Sequence, residues 1–182
     1  MDGTLLNSKH EVSNKFFKLF EELKKRDIRF VAASGRQYNS IVDKLDTIKD
    51  DIIVVAENGA FVKKRDRELL ATPLNQDTIK KTIELLRNVE GIHPVLCGKN
   101  NAYINGKSDD FVNKLKEYYS EFSILNDISS FDGEVLKIAI YHFESSEMAN
   151  AHPNVIKAAN YRADSNDNYG VEKILESLLA YT

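Results

Sequence analysis

The sequence predicts an α/β fold in which a doubly wound sheet carries an inserted α+β region. Over the first 59 residues, amphipathic helical segments alternate with short apolar segments that have the length of buried strands. Both apolar segments end in glycine-containing turns, at the positions where such sheets bind ligands. Beyond residue 72, strands follow one another in pairs between helices, and this pattern predicts the inserted region.

The first part of the chain has a regular order of elements. A helix is predicted over residues 12–23, where apolar side chains recur every three or four positions and Ser13 can cap the N-terminus. Residues 28–33 and 52–56 are mostly apolar and predict two buried strands, with a segment of helical period at 37–48 between them. This alternation is typical of a doubly wound sheet.

The rest of the chain predicts a hairpin and then a less regular order. Strand-forming segments at 60–63 and 69–71 flank a charged tip. The further predicted elements are a helix at 75–88, strands at 93–98 and 102–105, a helix at 108–119, strands at 122–125 and 135–143, a short helix at 154–160, a strand at 161–163 and a helix at 170–179. We therefore expect a core domain of residues 1–72 and 148–182 and an inserted domain of residues 73–147.

Composition excludes several classes of protein. The chain is 42% hydrophobic and 29% charged, with 25 basic and 28 acidic residues and a formal net charge of −3, as in ordinary globular proteins. Cys97, which we expect to be a buried thiol, is the only cysteine, so no disulfide framework exists. Because the chain lacks a basic stripe and a long apolar run, we expect a cytoplasmic protein without a nucleic-acid or membrane partner.

Four short segments, taken together and in this order, carry a family resemblance. They are Asp2-Gly3-Thr4-Leu5-Leu6, Ser34-Gly35-Arg36 after the first strand, Asn58-Gly59-Ala60 after the second, and the C-terminal stretches 150–154 and 164–171. The chain resembles the haloacid dehalogenase superfamily and, within it, the Cof-like sugar phosphatases that carry a type IIB cap. The resemblance implies a Rossmann-like core with the inserted α+β region as its cap domain.

The resemblance also implies roles for particular residues. Asp2 takes the place of the second aspartate of the Asp-x-Asp-Gly-Thr signature, which protonates the leaving oxygen and then activates water, and its backbone carbonyl is a Mg²⁺ ligand. The Ser34 hydroxyl hydrogen-bonds the transferring phosphoryl group. The residues implied for substrate and phosphate binding are Gly3, Thr4, Gly35, Arg36, Asn58 and Gly59. For Arg36, a salt bridge at the start of a helix is an equally good interpretation.

These roles describe a magnesium-dependent phosphomonoester hydrolase that acts on small phosphorylated metabolites, such as sugar phosphates, through an aspartyl-phosphate. The nucleophilic aspartate is expected one residue before Met1, and neither the lysine motif nor the acidic metal-binding loop of the family occurs between residues 143 and 152. We therefore expect a truncated chain that lacks an internal segment. Two alternatives stay open: a non-catalytic remnant that binds a phosphorylated ligand or a partner protein, and a receiver-like phosphoacceptor domain.

Overall fold

The computed structural model describes residues 1, 3–106, 109–116, 118–142 and 166–181. The chain divides into two compact units, the first formed by Met1–Phe30 with Ser146–Thr182 and the second by Val31–Ser145. The predicted helix at 154–160 and strand at 161–163 lie outside the described residues, as do Asp2 and the segment 150–154. The predicted boundaries of the core and inserted domains remain predictions.

The first unit contains two helices, α1 (Asn14–Lys25) and α5 (Gly170–Tyr181). Both confirm helices predicted from the sequence, and Ser13 caps α1 because its Oγ accepts the Phe16 N–H at 3.1 Å. Ser13 Oγ also donates to Glu172 Oε1 of α5 at 2.5 Å. No helix of the described residues is long and apolar enough to cross a membrane.

The second unit contains two sheets. The strands of the first sheet are β1 (Val31–Ala33), β2 (Ile53–Ala56), β3 (Phe61–Lys64) and β4 (Arg67–Ala71), in that spatial order. β1 and β2 are parallel, and the later pairs are antiparallel, which confirms the predicted hairpin. α2 (Tyr38–Val42) and a 3₁₀ helix (Asp43–Ile48) connect β1 to β2 and bury Ile41 and Leu45.

The expectation that residues 28–33 form a buried strand is only partly correct. Ala32 is buried, but the side chain of Val31 is 47% exposed and Ala33 is exposed as well. Within the described part of the chain, β1 pairs with β2 alone and is therefore an edge strand. An edge strand with one open face alternates between buried and exposed positions, whereas a central parallel strand is covered on both faces.

The second sheet has the spatial order β7-β6-β5-β8. Its elements are α3 (Gln76–Leu86), β5 (Ile92–Cys97), β6 (Ala102–Asn105), α4 (Asp109–Leu115), β7 (Phe122–Leu125) and β8 (Lys137–His142). Leu96 packs with α3, whereas its neighbours Val95 and Cys97 pack with α4. Since successive strand residues point to opposite faces, the sheet lies between the two helices. This arrangement confirms the predicted α+β region.

Candidate functional site

The predicted site residues of the second unit lie in two turns. We call residues 34–36, which follow β1, the serine turn, and the 3₁₀ turn Glu57–Gly59, which follows β2, the asparagine turn. Because β1 and β2 are parallel neighbours, both turns leave the sheet at the same edge. The structure therefore brings together the residues predicted from two separate strand ends.

Backbone hydrogen bonds join the two turns. The Asn58 N–H donates to the Ser34 carbonyl at 3.3 Å, and the Glu57 N–H donates to the Arg36 carbonyl at 3.1 Å. Backbone groups that bond one another across two turns hold both in a fixed relative position. The two turns consequently form one structural element.

The asparagine turn has an unusual backbone conformation. Glu57, Asn58 and Gly59 have φ values of +51°, +58° and +97°, so three successive residues lie in the left-handed region. For a non-glycine residue that region costs roughly 1–2 kcal/mol. Strained residues of this kind persist where the surrounding contacts hold them, and they cluster at functional sites.

Gly35 and Asn58 are in close contact. A Cβ atom added at Gly35 would lie 2.5 Å from Asn58 Oδ1, well inside the shortest distance that carbon and oxygen tolerate. The Asn58 side chain thus occupies the space that a larger residue of the serine turn would need. Glycine at this position lets the amide approach the backbone of the neighbouring turn.

The Ser34 hydroxyl oxygen accepts one hydrogen bond. The Arg36 N–H donates to Ser34 Oγ at 3.2 Å, and no described residue accepts the hydroxyl proton of Ser34. The Arg36 guanidinium lies over the Tyr118 ring, 5.5 Å from its centroid, which is a cation–π distance. Ser34 can therefore donate its proton to a ligand, and Arg36 is held beside it by an aromatic face.

Sequence reasoning missed two residues of this site, Glu57 and Lys137. Lys137 of β8 places its Nζ 2.6 Å from Glu57 Oε2 and 2.6 Å from the Gly35 carbonyl oxygen. The Glu57 side chain is 1% exposed, and its second oxygen, Oε1, accepts no hydrogen bond from the described residues. Burial raises the pKa of Glu57 above its ordinary value of 4.5, and the ion pair with Lys137 only partly opposes this.

Cys97 and Tyr119 lie near this ion pair. Cys97 Sγ is 3.5 Å from the Tyr119 hydroxyl, and Cys97 is buried, as the sequence predicted. Burial is the largest cause that raises the pKa of Cys97 to about 11, with a further contribution from the Glu57 charge. The pKa of Tyr119 is also raised, mainly by burial. The Cys97 thiol and the Tyr119 hydroxyl are therefore both protonated near pH 7.

The residues just before β7 are hydrogen-bonded to residues that follow the serine turn. Ser40 Oγ donates to the Tyr118 carbonyl at 3.0 Å, and Ser120 Oγ donates to Asp43 Oδ2 at 2.7 Å. These two bonds connect residues that are 78 and 77 positions apart in the chain. The second sheet is thus tied to the first beside the candidate site.

The predicted N-terminal site residues belong to the first unit. Gly3 has a φ of +63° and is exposed, and the exposed Thr4 donates its N–H to the Met1 carbonyl at 3.2 Å. Asp2 lies outside the described residues. The implied roles of these three residues remain predictions.

Side chains that commonly bind metals are not clustered in the described part of the chain. No three His, Cys, Asp or Glu side chains of the described ranges lie close enough together to bind a metal ion. The first unit has a cavity of about 240 Å³ lined in part by Asp167 and Glu172. Both carboxylates already accept hydrogen bonds, from Ser8 N–H at 2.7 Å and from Ser13 Oγ at 2.5 Å.

Comparisons with known proteins identify relatives with the same architecture. The chain is 32% identical over 133 residues to the 5-amino-6-(5-phospho-D-ribitylamino)uracil phosphatase of Escherichia coli K12, covering 72% of this chain and 48% of that protein. It spans about half the length or less of the curated relatives it matches. A structure from Streptococcus mutans UA159 superposes with a TM-score of 0.86 at 22% identity, covering 99% of this chain and 97% of that one.

A second solved structure, the subclass IIB sugar phosphatase BT4131, has a TM-score of 0.60 at 16% identity and covers 74% of this chain and 54% of its own. At such identities the structures support the α/β fold alone. The model of the haloacid dehalogenase-like hydrolases matches residues 1–147, a range that includes both turns and the whole second sheet. With its paired turns in that matched range, the chain belongs to the haloacid dehalogenase-like hydrolase family.

Proposed function

We propose that the chain forms the phosphate-ester site of a magnesium-dependent phosphomonoester hydrolase that acts on small phosphorylated metabolites. Support comes from the hydrogen bonds that join the serine and asparagine turns at one edge of the first sheet. Turns that present hydroxyl and backbone N–H donors together form concave anion sites. Phosphoryl transfer needs such a prepositioned set of donors more than it needs covalent chemistry from the protein.

The residues of the two turns divide the work of binding the phosphate group. Ser34 donates its hydroxyl proton to a phosphoryl oxygen, and the N–H of Gly35 donates to a second oxygen. Arg36 adds a positive charge that the Tyr118 ring holds in place. Asn58 and Gly59 border the same space, where the absence of a side chain at Gly59 lets the ester approach the backbone.

The N-terminal residues complete the proposal. Asp2 protonates the leaving oxygen and then activates the attacking water, and the N–H groups of Gly3 and Thr4 contact the phosphoryl oxygens. The carbonyl of Asp2 is the proposed Mg²⁺ ligand; a bound magnesium ion supplies charge neutralisation at the phosphoryl oxygens. An aspartyl-phosphate requires a carboxylate nucleophile, which the family pattern places before Met1, so we assign that step to no residue of the chain.

The names of two relatives support a proposal for the substrate class. One relative dephosphorylates a phosphoribityl compound by its name, and another is described as a sugar phosphatase. We propose that the ester is a phosphorylated sugar or sugar alcohol. In the proposed core-and-cap arrangement, the cap of residues 73–147 contacts the part of the substrate that does not react. Binding energy from that part is what selects among esters with the same phosphate group.

Binding of a phosphorylated ligand without turnover is the second candidate function. It is favoured by the position of Glu57, the carboxylate of the two described turns, because this side chain is 1% exposed and paired with Lys137. A carboxylate held in that way is not available to attack phosphorus. On this candidate, the same turns bind the ester and release it unchanged.

The test compares the purified chain with a Ser34→Ala variant in the presence of Mg²⁺. Release of inorganic phosphate from a panel of sugar and sugar-alcohol phosphates measures turnover, and thermal stabilisation by the same esters measures binding. Hydrolysis that falls at least about tenfold in Ser34→Ala supports the hydrolase, since one lost transition-state donor costs that much or more. Ser177→Ala, in an exposed position of α5 and outside both turns and the proposed cap, is the matched control. Stabilisation without phosphate release supports the second candidate, and absence of both contradicts both.

A further inference from the structure

The contacts of Lys137 join the two sheets at one peptide unit. Its Nζ donates to the Gly35 carbonyl at 2.6 Å, and the two residues are 102 positions apart in the chain. The Lys137 side chain is 19% exposed and Gly35 is exposed, so water reaches this contact, but the 2.6 Å distance is that of a strong charge-assisted hydrogen bond. A cation of the second sheet therefore bonds directly to the serine turn.

The peptide unit between Gly35 and Arg36 is held at both ends. In a trans peptide the carbonyl and the N–H point in opposite directions, and the described chain has no cis peptide bonds. The Gly35 carbonyl accepts from Lys137, while the Arg36 N–H donates to Ser34 Oγ at 3.2 Å. Lys137 and Ser34 are thus bonded to opposite edges of one rigid peptide plane, and the orientation of that plane couples them.

This coupling restricts what the Ser34 hydroxyl can do. One lone pair of Oγ accepts the Arg36 N–H, so the hydroxyl proton must point elsewhere. A hydroxyl whose acceptor side is already used is prepared to donate, which is the role that an anionic ligand requires. If the peptide plane were free to rotate, Oγ would lose its donor and the hydroxyl would turn freely.

Glu57 supports the same arrangement from the other side. Its Oε2 lies 2.6 Å from Lys137 Nζ and directs the ammonium, and its own N–H donates to the Arg36 carbonyl at 3.1 Å. Lys137 therefore holds the peptide unit before Arg36, and the Glu57 N–H holds the peptide unit after it.

We propose that Lys137 is a positioning residue that orients the Ser34 hydroxyl toward a bound phosphate group through the Gly35–Arg36 peptide plane. The inference goes beyond the proposed function, on which its last step depends, because it assigns a role in the phosphate site to a lysine of the second sheet. Lys137 does not itself contact the ligand in this proposal. Its effect on phosphate binding requires Ser34.

The first experiment measures hydrogen exchange of the Arg36 amide by NMR and does not depend on phosphate binding. In Lys137→Met we expect exchange at Arg36 to accelerate about tenfold or more relative to Leu96 of the second sheet, since a hydrogen bond of typical strength is weakened. Lys137→Arg, which keeps a donor, restores most of the protection. The control is Lys99→Met, because Lys99 also links the sheets, through Glu68 and Glu134, but lies outside the site. Equal acceleration at Leu96 and Arg36 would show a merely structural role and overturn the inference.

The second experiment titrates inorganic phosphate by calorimetry, with Mg²⁺ present, into the wild type, Lys137→Met, Ser34→Ala and the double variant. We expect each single substitution to weaken binding roughly tenfold and the double variant to be no more than about twofold weaker than Ser34→Ala. Additive effects would mean that Lys137 acts independently of Ser34. Failure of the wild type to bind phosphate or to be stabilised by any ester would count against the proposed function, and the exchange measurement would still decide the role of Lys137.

A further variant guards against loss of folding. Lys137→Met leaves the buried Glu57 without a counter-charge, so we include Lys137→Met combined with Glu57→Gln. The combined variant still lacks the donor to the Gly35 carbonyl, and we expect the same acceleration at Arg36. Normal protection at Arg36 in the folded combined variant would overturn the inference.

Discussion

Single and double substitutions of Lys137 and Glu57 separate the free-energy cost of breaking their ion pair from the cost of removing both charges. Lys137→Met removes the counter-charge of a carboxylate that is 1% exposed and leaves the Gly35 carbonyl without its donor. Glu57→Gln removes the opposite charge but leaves Lys137 bonded to that carbonyl. Because the lysine side chain is 19% exposed, water can partly replace its lost partner.

The expected magnitudes differ accordingly. Breaking a buried pair by removing one partner costs about 3–5 kcal/mol, and we expect Lys137→Met to fall near the lower end because of its partial exposure. Glu57→Gln should cost about 1–2 kcal/mol, less than the roughly 1.5–3 kcal/mol of a hydrogen bond to a charged group, because solvent partly replaces the lost partner of Lys137. The double variant should resemble Glu57→Gln, so that the coupling energy equals the cost of Lys137→Met, about 3 kcal/mol.

Urea unfolding followed by circular dichroism measures the three free energies, and thermal melting should show a decrease of roughly 6–12 °C for Lys137→Met in a chain of this size. Lys99→Met provides the comparison, because its ion pairs are more exposed and should contribute less than about 1 kcal/mol. If Lys137→Met and Glu57→Gln each unfold within about 0.5 kcal/mol of the wild type, the buried pair does not exist in solution and the reasoning fails.

Three further predictions follow from the same region. Because the pKa of Glu57 is higher in the folded state than its ordinary value of 4.5, protonated Glu57 contributes stability that is fully present below pH 4.5 and is lost as pH rises through the folded-state pKa. The urea midpoint of the wild type should therefore fall relative to that of Glu57→Gln as pH rises. A slope of the opposite sign would contradict the burial of Glu57. Gly35→Ala should weaken phosphate binding about tenfold, as measured by calorimetry, because the new Cβ would lie 2.5 Å from Asn58 Oδ1. In a chain that already carries Asn58→Ala, that oxygen is gone, and Gly35→Ala should have little further effect on binding. An equally large loss of binding in the Asn58→Ala background would argue against the clash. Cys97 has a pKa of about 11 and is 1% exposed, so in the folded chain it should react with iodoacetamide roughly 100-fold slower than a free thiol at mildly alkaline pH. In urea, where the chain is unfolded, it should react at the rate of a free thiol. Fast reaction of the folded chain would show that the thiol is accessible.

Local patterns predicted most of the elements and the two turns. Helix α1 and its cap follow from the apolar spacing at Phe16, Phe20 and Leu23 and from Ser13, because capping and periodicity are properties of adjacent residues. The two turns could be predicted as neighbours because the carboxyl ends of parallel strands meet at one sheet edge. Fold class and the position of the candidate site therefore depended on information within short segments.

The remaining features depend on contacts between distant segments. Lys137 reaches Gly35 across 102 positions, and the buried Gln37 donates to the Glu121 carbonyl at 3.3 Å across 84. The sequence held one signal for Lys137, a single charged residue in the otherwise apolar run Val135-Leu136-Lys137-Ile138-Ala139, which must bury its charge beside a partner. Nothing in the sequence near Glu57 identifies that partner. The exposure of Val31 was missed for a similar reason, since the segments that cover the face of a strand are distant in the chain and are not encoded in the composition of the strand.

The bonds from Ser40 to the Tyr118 carbonyl and from Ser120 to Asp43 have a consequence for protein engineering. The segment that begins with the serine turn continues, within a few residues, as the segment that is hydrogen-bonded to the second sheet. A domain exchange that cuts the chain only at residues 72 and 148 would separate Tyr118 and Ser120 from their partners. A chimera that is meant to keep the second sheet in place beside the serine turn should transfer residues 37–43 together with that sheet, so that both hydrogen bonds are retained.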